Sequence, residues 1–189
     1  MRYKPEDYIV EMVADIYEDH GIAEFGFDPI QLCKNMGHIV LPYSSFSDDE
    51  KRSLLYKQDK DGFSWYNPRL QKCEIYYNDN ASPESRTKFT IPHEIGHIEY
   101  GHIFENEISP KMECIANEFA RQLYMPHILL VKKEITTIHE IMSSFGVTEG
   151  YARIILDRLN NRMRYHGSEF LDSEYRILEA FDYNRSHKT

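Results

Sequence analysis

The sequence predicts an α+β fold, in which a small antiparallel or mixed sheet packs on a helical core and further helices follow. Three observations predict this class. Amphipathic helical patterns occupy both ends of the chain, short alternating strand patterns lie near its middle, and the motif H-E-x-x-H stands in a helical run at Ile91–His97. The same patterns predict a core over residues 1–126 and a helical extension over residues 127–189 that packs on the core.

The size and charge of the chain restrict its function. Its 189 residues, 41% of them hydrophobic, suffice for one domain with a small appendage. A formal net charge of −9 argues against general binding to nucleic acid or anionic membranes. No apolar run approaches the roughly 20 residues of a membrane span, and no signal peptide is visible, so we expect a cytoplasmic protein. Three cysteines without a C-x-x-C pair indicate reduced, mostly buried thiols.

The first half of the chain alternates helical and strand patterns. Apolar residues spaced four apart predict a helix from Pro5 to about His20, and a second helix has Asp28 as N-cap, Pro29 at its first position and Gly37 beyond its end. An exposed loop is predicted over Ser44–Arg52, and Asp59–Gly62 has turn residues. The predicted strands are His38–Pro42, Ser53–Lys57, Phe63–Tyr66 and Cys73–Tyr77.

The second half is predicted to be helical. A helix that starts at Ser82-Pro83-Glu84 carries the H-E-x-x-H motif and runs to about Phe104. Pro92 lies inside it, which predicts either a kink before the motif or a later helix start. The remaining predicted helices are Lys111–Met125, Thr137–Phe145, Thr148–Arg164 and a short one within Glu169–Tyr183.

The H-E-x-x-H motif predicts a metal site. On a helix, residues four apart lie on the same face, so His93 and His97 can both direct an imidazole at one ion. Glu94 is turned about 100° from His93, which suits a base that holds a water rather than a ligand. Zinc is the ion expected, although the same residues also suit manganese or iron.

A catalytic zinc needs a third protein ligand, for which the sequence offers several candidates. A third histidine in the longer metzincin pattern would stand at position 103, which is Ile103, so that pattern fails. Glu113 is the better candidate, because it begins a helical stripe with the small residues Ala116 and Ala120 that lets two helices lie close. Asn117, on the same stripe, is expected to orient a ligand. Glu118, on another side of the helix, is predicted to be a solvated charge.

These residues resemble the ImmA/IrrE family of metallopeptidases. The similarity rests on Phe89-Thr-Ile-Pro-His-Glu-Ile-Gly-His97, Glu113-x-x-Ala-Asn-x-Phe-Ala120 and Leu123-Tyr-Met-Pro126. It implies a zincin-like core, His93, His97 and Glu113 as zinc ligands, and Glu94 as the catalytic acid/base. It also implies a protein substrate, namely a helix-turn-helix repressor that guards a prophage, mobile element or stress response.

The chemistry expected of such a site is metal-assisted peptide hydrolysis, in which Glu94 transfers the proton. The strand Lys72–Tyr77 is expected to offer an edge with which an extended substrate can pair. Four residues qualify equally as donors that stabilise the oxyanion, namely Tyr66, Tyr76, His102 and Tyr124. For His102, a polar position at a helix end is the preferred interpretation.

Two other functions compete with catalysis. Helices on either side of Gly146-Val147 resemble a helix-turn-helix, but the stretch from His127 to Tyr165 has an excess of only two positive charges, so direct binding of nucleic acid is not expected. The second alternative is a metal-stabilised module that binds a regulator without cutting it. The presence of Glu94 favours the enzyme, because a structural metal site needs no base. Nothing in the sequence indicates an oligomeric state.

Overall fold

The computed structural model describes residues 5–24, 26–82, 85–167 and 169–186. Its helices and strands are, in chain order, α1 Pro5–His20, α2 Pro29–Asn35, β1 Ile39–Pro42, α3 Asp49–Gln58, β2 Gly62–Asn67, β3 Lys72–Tyr77, α4 Ser85–Glu99, α5 Pro110–Tyr124, α6 His127–Lys132, α7 Ile138–Phe145, α8 Glu149–His166 and α9 Asp172–Ser186. Short 3-10 helices cover Tyr43–Ser45 and His102–Phe104. This mostly helical structure with a small mixed sheet confirms the predicted α+β class.

The described residues form two compact units. One unit, here called the sheet unit, spans Asp28–Ala120, and the other, the helical unit, contains the residues up to Phe27 and those from Arg121 onward. The helical unit therefore takes in α1 as well as the helices after α5. A compact unit is a cluster of contacts and is not by itself a folding domain. The predicted division into 1–126 and 127–189, and the packing of one part on the other, stay predictions.

The sheet has the strand order β1-β3-β2. Strand β1 runs parallel to β3, and β2 runs antiparallel to it, with Ser64 opposite Ile75. The middle strand β3 is therefore paired on both sides. Our prediction that Lys72–Tyr77 offers an edge to a substrate is wrong, because the hydrogen-bonding groups on both sides of β3 face strands of the chain itself. The outer strands of this sheet are β1 and β2.

Strand β2 approaches helix α4 closely at Gly62. A Cβ atom at this position would lie 2.6 Å from Thr90 Cγ2 and 2.8 Å from the carbonyl oxygen of Tyr76. Such distances are shorter than van der Waals contact, so only glycine fits. The turn before it is held by Asp59, whose carboxylate accepts the backbone N–H groups of Asp61 at 2.7 Å and Gly62 at 3.3 Å.

Helix α3 replaces a predicted loop and strand. The predictions of a loop over Ser44–Arg52 and a strand over Ser53–Lys57 are wrong, because Asp49–Gln58 is helical. Asp48 accepts the backbone N–H of Lys51 at 3.3 Å, as an N-terminal cap does, and an Arg52–Asp49 ion pair spans the first turn. A short apolar run cannot by itself distinguish a strand from one turn of a helix.

Helix α4 is continuous through Pro92 from Ser85 to Glu99. The alternative that Pro92 delays the start of the helix is thus excluded. The predicted start of the helix at residues 83 and 84 lies outside the described residues. The helix is shorter than predicted at its C-terminal end, because Gly101 adopts a left-handed φ of 68° and the chain continues as the 3-10 helix His102–Phe104. This turn places His102 beside the helix instead of on it.

Helices α4 and α5 are in close contact at Gly96. A Cβ atom there would lie 3.0 Å from Phe119 Cδ1 and 3.2 Å from Ala116 Cα. The stripe of small residues on α5 therefore does allow the close approach that was predicted. The prediction for Glu118 is wrong, because this side chain is buried, with 9% of its surface exposed. Helix α5 is buried over a wider face than the small residues alone indicated.

The helical unit has its own apolar core. The buried residues of this core are Tyr124, Met125, Leu130, Ile135, Ile141, Phe145, Ala152, Ile155 and Leu159. The predicted helices on either side of Gly146 are confirmed, and each begins with a threonine cap. Arg162, one of the basic residues counted toward a phosphate-binding face, is buried in an ion pair with Glu174 at 2.7 Å. It is therefore not part of an exposed basic surface.

Two further sequence predictions concern cysteines and membranes. The three cysteines form no disulfide, as predicted, but their burial differs: Cys33 is buried, Cys73 is half-buried and Cys114 is exposed. Among the described residues, no helix has both the length and the apolar character that crossing a membrane requires.

Candidate metal centre

The structure brings His93, His97 and Glu113 together. The two Nε2 atoms on helix α4 lie 3.0 Å apart. From helix α5, Glu113 places Oε2 3.5 Å from His93 Nε2 and Oε1 3.5 Å from His97 Nε2. One nitrogen or oxygen atom from each side chain lies within 4.8 Å of the other two, the only such group of three in the part of the chain that the structure describes. Two imidazoles and one carboxylate are the donor set of many catalytic zinc sites, so these residues fit a zinc ion.

The protonation of the cluster suits metal binding. Burial, followed by the neighbouring rings of His93 and His102, lowers the pKa of His97 to about 4. His97 is therefore neutral near pH 7 and offers a nitrogen lone pair. Burial, followed by the nearby charge of Asp59, raises the pKa of Glu113. With 48% of its side chain exposed, Glu113 still faces solvent and can ionise.

His102 contacts His97 at Nδ1, the ring nitrogen that does not take part in the three-residue cluster. The Nδ1 atoms of the two rings lie 3.1 Å apart, and His102 is buried. If Nε2 of His97 carries the lone pair that faces the cluster, its Nδ1 carries the proton and donates it to His102. A partner of this kind orients the ring of a ligand. The interpretation of His102 as only a polar residue at a helix end is therefore incomplete.

Glu94 lies outside the three-residue cluster, in a buried position. Only 6% of its surface is exposed, and Ser64 donates its hydroxyl to Glu94 Oε2 at 2.7 Å. Burial, above all, raises the pKa of Glu94 to about 7; Ser64 opposes this, while the charges of Asp59 and Glu113 add to it. A carboxyl group with a pKa near neutrality can both accept and release a proton.

The cluster and Glu94 open into one cavity of the sheet unit, with a volume of about 750 Å³. Apolar, polar and charged residues line its wall, among them four consecutive residues of strand β2. The lining residues are Gln58, Asp59, Asp61, Gly62, Phe63, Ser64, Trp65, Arg86, Phe89, Thr90, His93, Glu94, His97, Ile103, Ile108, Glu113 and Asn117. Asn117 thus lies on the wall, one helical turn after Glu113. A cavity of this size, with apolar walls and a few convergent polar groups, is typical of a ligand site.

The four predicted oxyanion donors are less well placed. None of Tyr66, Tyr76 and His102 is among the residues that line the cavity. The hydroxyl of Tyr76 donates to Glu74 at 2.6 Å, and the ring of Tyr66 packs against Phe104. Tyr124 belongs to the helical unit.

Three residues of the site were missed or undervalued by sequence reasoning. Ser64 and Asp59 come from the strand and turn before the motif, and His102 follows it. Alternation along β2 puts Gly62 and Ser64 on one face, but no sequence pattern tells which helix that face meets. For His102, the signal was Gly101, since a glycine after a helix commonly ends it and turns the chain.

A family model of known proteins matches this chain. Residues 52–157, more than half of the chain, match the family model of the M78 peptidases, described as the IrrE N-terminal-like domain. The chain therefore belongs to the ImmA/IrrE family of metallopeptidases. No curated protein matches the chain. The match begins in helix α3 and ends in α8, so it contains the complete H-E-x-x-H helix and Glu113.

Proposed function

We propose that this protein is a zinc-dependent endopeptidase that cleaves a protein substrate. In this proposal His93, His97 and Glu113 hold the ion, Glu94 is the catalytic acid/base and Asn117 helps to orient the ligands. One observation carries the proposal: two imidazoles and a carboxylate converge beside a buried glutamate, at the wall of a cavity. Zinc is favoured because H-E-x-x-H places two histidines and a base on one helix, although two histidines and a carboxylate can also bind manganese or iron.

Different residues of the chain bind the metal and transfer the proton in peptide hydrolysis. When bound, the zinc ion would polarise the scissile carbonyl and lower the pKa of a water to about 7. Glu94 accepts a proton from the attacking water and later passes it to the leaving amine, which its pKa near 7 allows. The low pKa of His97 keeps that ligand deprotonated near neutral pH, which metal binding requires.

An extended segment of a protein suits the cavity. Residues Gly62–Trp65 of β2 line it, and β2 is an outer strand of the sheet, so a substrate backbone can pair along it. Phe89, Ile103 and Ile108 offer apolar surface to side chains of the bound segment. The resemblance to the ImmA/IrrE family supports a helix-turn-helix repressor of a prophage, mobile element or stress response as the substrate. Because such a repressor acts in the cytoplasm, the proposal includes a cytoplasmic location for this protein.

The proposal is tested by mixing the protein with the product of a neighbouring repressor-like gene and zinc. We expect the wild type to cut this protein at one or a few bonds, detected by mass spectrometry of the fragments. Glu94→Gln should bind zinc and leave the repressor intact. The exposed Glu107 provides a matched control, because Glu107→Gln removes the same charge outside the cavity.

Two outcomes contradict the proposal. Cleavage by Glu94→Gln at the wild-type rate would exclude Glu94 as the acid/base. If the wild type binds zinc and the repressor but never cuts it, the chain is instead the metal-stabilised binding module.

A further inference from the structure

We infer that Ser64 is a positioning residue for Glu94, and that it links the orientation of the catalytic carboxylate to strand β2. This inference rests on the proposed function, because it takes Glu94 as the group that transfers the proton. It assigns a role to a strand residue that the H-E-x-x-H motif does not include. It follows from the geometry of β2 against α4.

The hydrogen bond from Ser64 occupies one of the two carboxylate oxygens. Ser64 Oγ donates to Glu94 Oε2 at 2.7 Å, the usual distance of a well-formed O–H···O hydrogen bond. The backbone N–H of Ser64 acts on the same carboxylate. A glutamate without such a bond could rotate about its last side-chain torsion, which has a broad energy minimum. Ser64 removes this freedom.

The position of Ser64 is itself fixed by the packing of β2. Gly62 and Ser64 point to the same face of the strand, and Gly62 is held against Thr90, four residues before Glu94 on α4. Two residues along a strand span about 6.6 Å, close to the rise of about 6 Å over four residues of a helix. The contact of Gly62 with Thr90 and that of Ser64 with Glu94 are therefore spaced alike on the strand and on the helix. A shift of β2 would move the donor away from Glu94.

The location of Ser64 gives this contact a function beyond stability. Ser64 lines the cavity together with Phe63 and Trp65, on the outer strand that an extended substrate would meet. A substrate that pairs with β2 contacts the same strand that holds the base. The base is thus oriented with respect to the bound backbone, as an efficient proton transfer requires.

The experiment is a double-mutant cycle between positions 64 and 94, with acetohydroxamic acid as the probe. This small compound gives up an acidic proton when it chelates a metal ion, so its affinity depends on a base beside the metal. Calorimetry on the zinc-loaded protein gives the affinity for the wild type, Ser64→Ala, Glu94→Ala and the double variant. Zinc affinity is measured separately, by competition with a chromogenic chelator.

We expect Ser64→Ala to weaken the probe about tenfold when Glu94 is present, as for a lost hydrogen bond to a charged group. The same substitution should have no effect in the Glu94→Ala background. Ser64→Thr keeps the hydroxyl and should restore most of the affinity. Ser45→Ala is the matched control, because Ser45 Oγ donates to a backbone carbonyl and lies outside the cavity.

The possible results distinguish a failure of the inference about Ser64 from a failure of the proposed function. An equal effect of Ser64→Ala with and without Glu94, or no recovery by threonine, would show a merely structural serine and overturn the inference. If the wild type binds zinc and the probe tightly while Ser64→Ala changes neither, the inference fails and the proposed function stands. If the wild type binds no zinc, the proposed function fails and the inference falls with it.

Discussion

Two glutamates of the sheet unit expose almost the same small fraction of their surface, but Glu94 lies deeper in the protein and the two are held in opposite ways. Glu74 on strand β3 is 5% exposed, and Glu94 on helix α4 is 6% exposed. Glu94 accepts one side-chain hydrogen bond, from Ser64. Glu74 accepts three, all between 2.6 and 2.8 Å, from Trp65 Nε1, Asn67 Nδ2 and the Tyr76 hydroxyl.

The number of donors and the depth of burial together set the pKa of each carboxylate. Burial raises the pKa of Glu74, but the three hydrogen bonds together outweigh it, so the pKa lies below its ordinary value. For Glu94 burial prevails, and the pKa rises to about 7. Glu74 is thus ionised near neutral pH and ties β2 to β3, whereas Glu94 can exchange its proton. Two buried carboxylates of the same residue type are structural in one case and suited to catalysis in the other.

The largest effect is expected from Glu94→Gln. Loss of the acid/base should lower kcat on the repressor by on the order of 10³-fold. The free energy of unfolding should stay the same or rise, because a buried amide costs less than a buried charge. Single-turnover cleavage and urea unfolding measure the two quantities. If the variant were inactive and also clearly less stable than the wild type, Glu94 would be a structural residue, as Glu74 is.

His102→Ala should have the next largest effect, on the metal site. Without the contact at Nδ1, the ring of His97 loses its fixed orientation, and zinc affinity should fall about 10- to 100-fold. Competition with a chelator measures this affinity. His139→Ala, an exposed histidine of α7, is the control and should not change it. Equal zinc affinity in both variants would show that His102 does not orient the ligand.

Glu74→Gln should act on stability. The amide retains one acceptor oxygen, so at least one of the three half-buried or exposed donors loses its charged partner, and unfolding should become easier by about 1–3 kcal/mol. Trp65 is the only tryptophan, so its fluorescence reports directly on this contact and should change in the folded variant. Zinc affinity should be unaffected. Wild-type stability in urea unfolding would show that the three hydrogen bonds contribute nothing net.

The smallest effect is the pH dependence of that stability difference. Because the folded-state pKa of Glu74 is depressed, its stabilising contribution is present above the ordinary value of 4.5 and is lost as the pH falls through the folded-state pKa. The difference in unfolding free energy between the wild type and Glu74→Gln should therefore shrink from pH 7 to about pH 3. A difference that is constant or grows toward acid pH would contradict the depressed pKa.

The sequence predicted what depends on local spacing and missed what depends on contacts between distant segments. The H-E-x-x-H helix, the stripe of small residues on α5 and the strands β1, β2 and β3 all follow from periodicity and residue type. Strand order does not, so β3 was expected at an edge although it lies in the middle. Helix α3 was missed because its capping contacts outweigh a short apolar run. The environment of Glu94 depends on Ser64, thirty residues earlier, which no local pattern connects to it.

The tight contact at Gly62 limits how this protein can be redesigned. Any side chain larger than hydrogen would push β2 away from α4 and alter the cavity wall near Glu94 at the same time. Libraries aimed at new cleavage preferences should therefore keep residue 62 constant and vary Ile103 and Ile108, which line the cavity from outside the sheet. Changes of selectivity made there leave the catalytic geometry untouched.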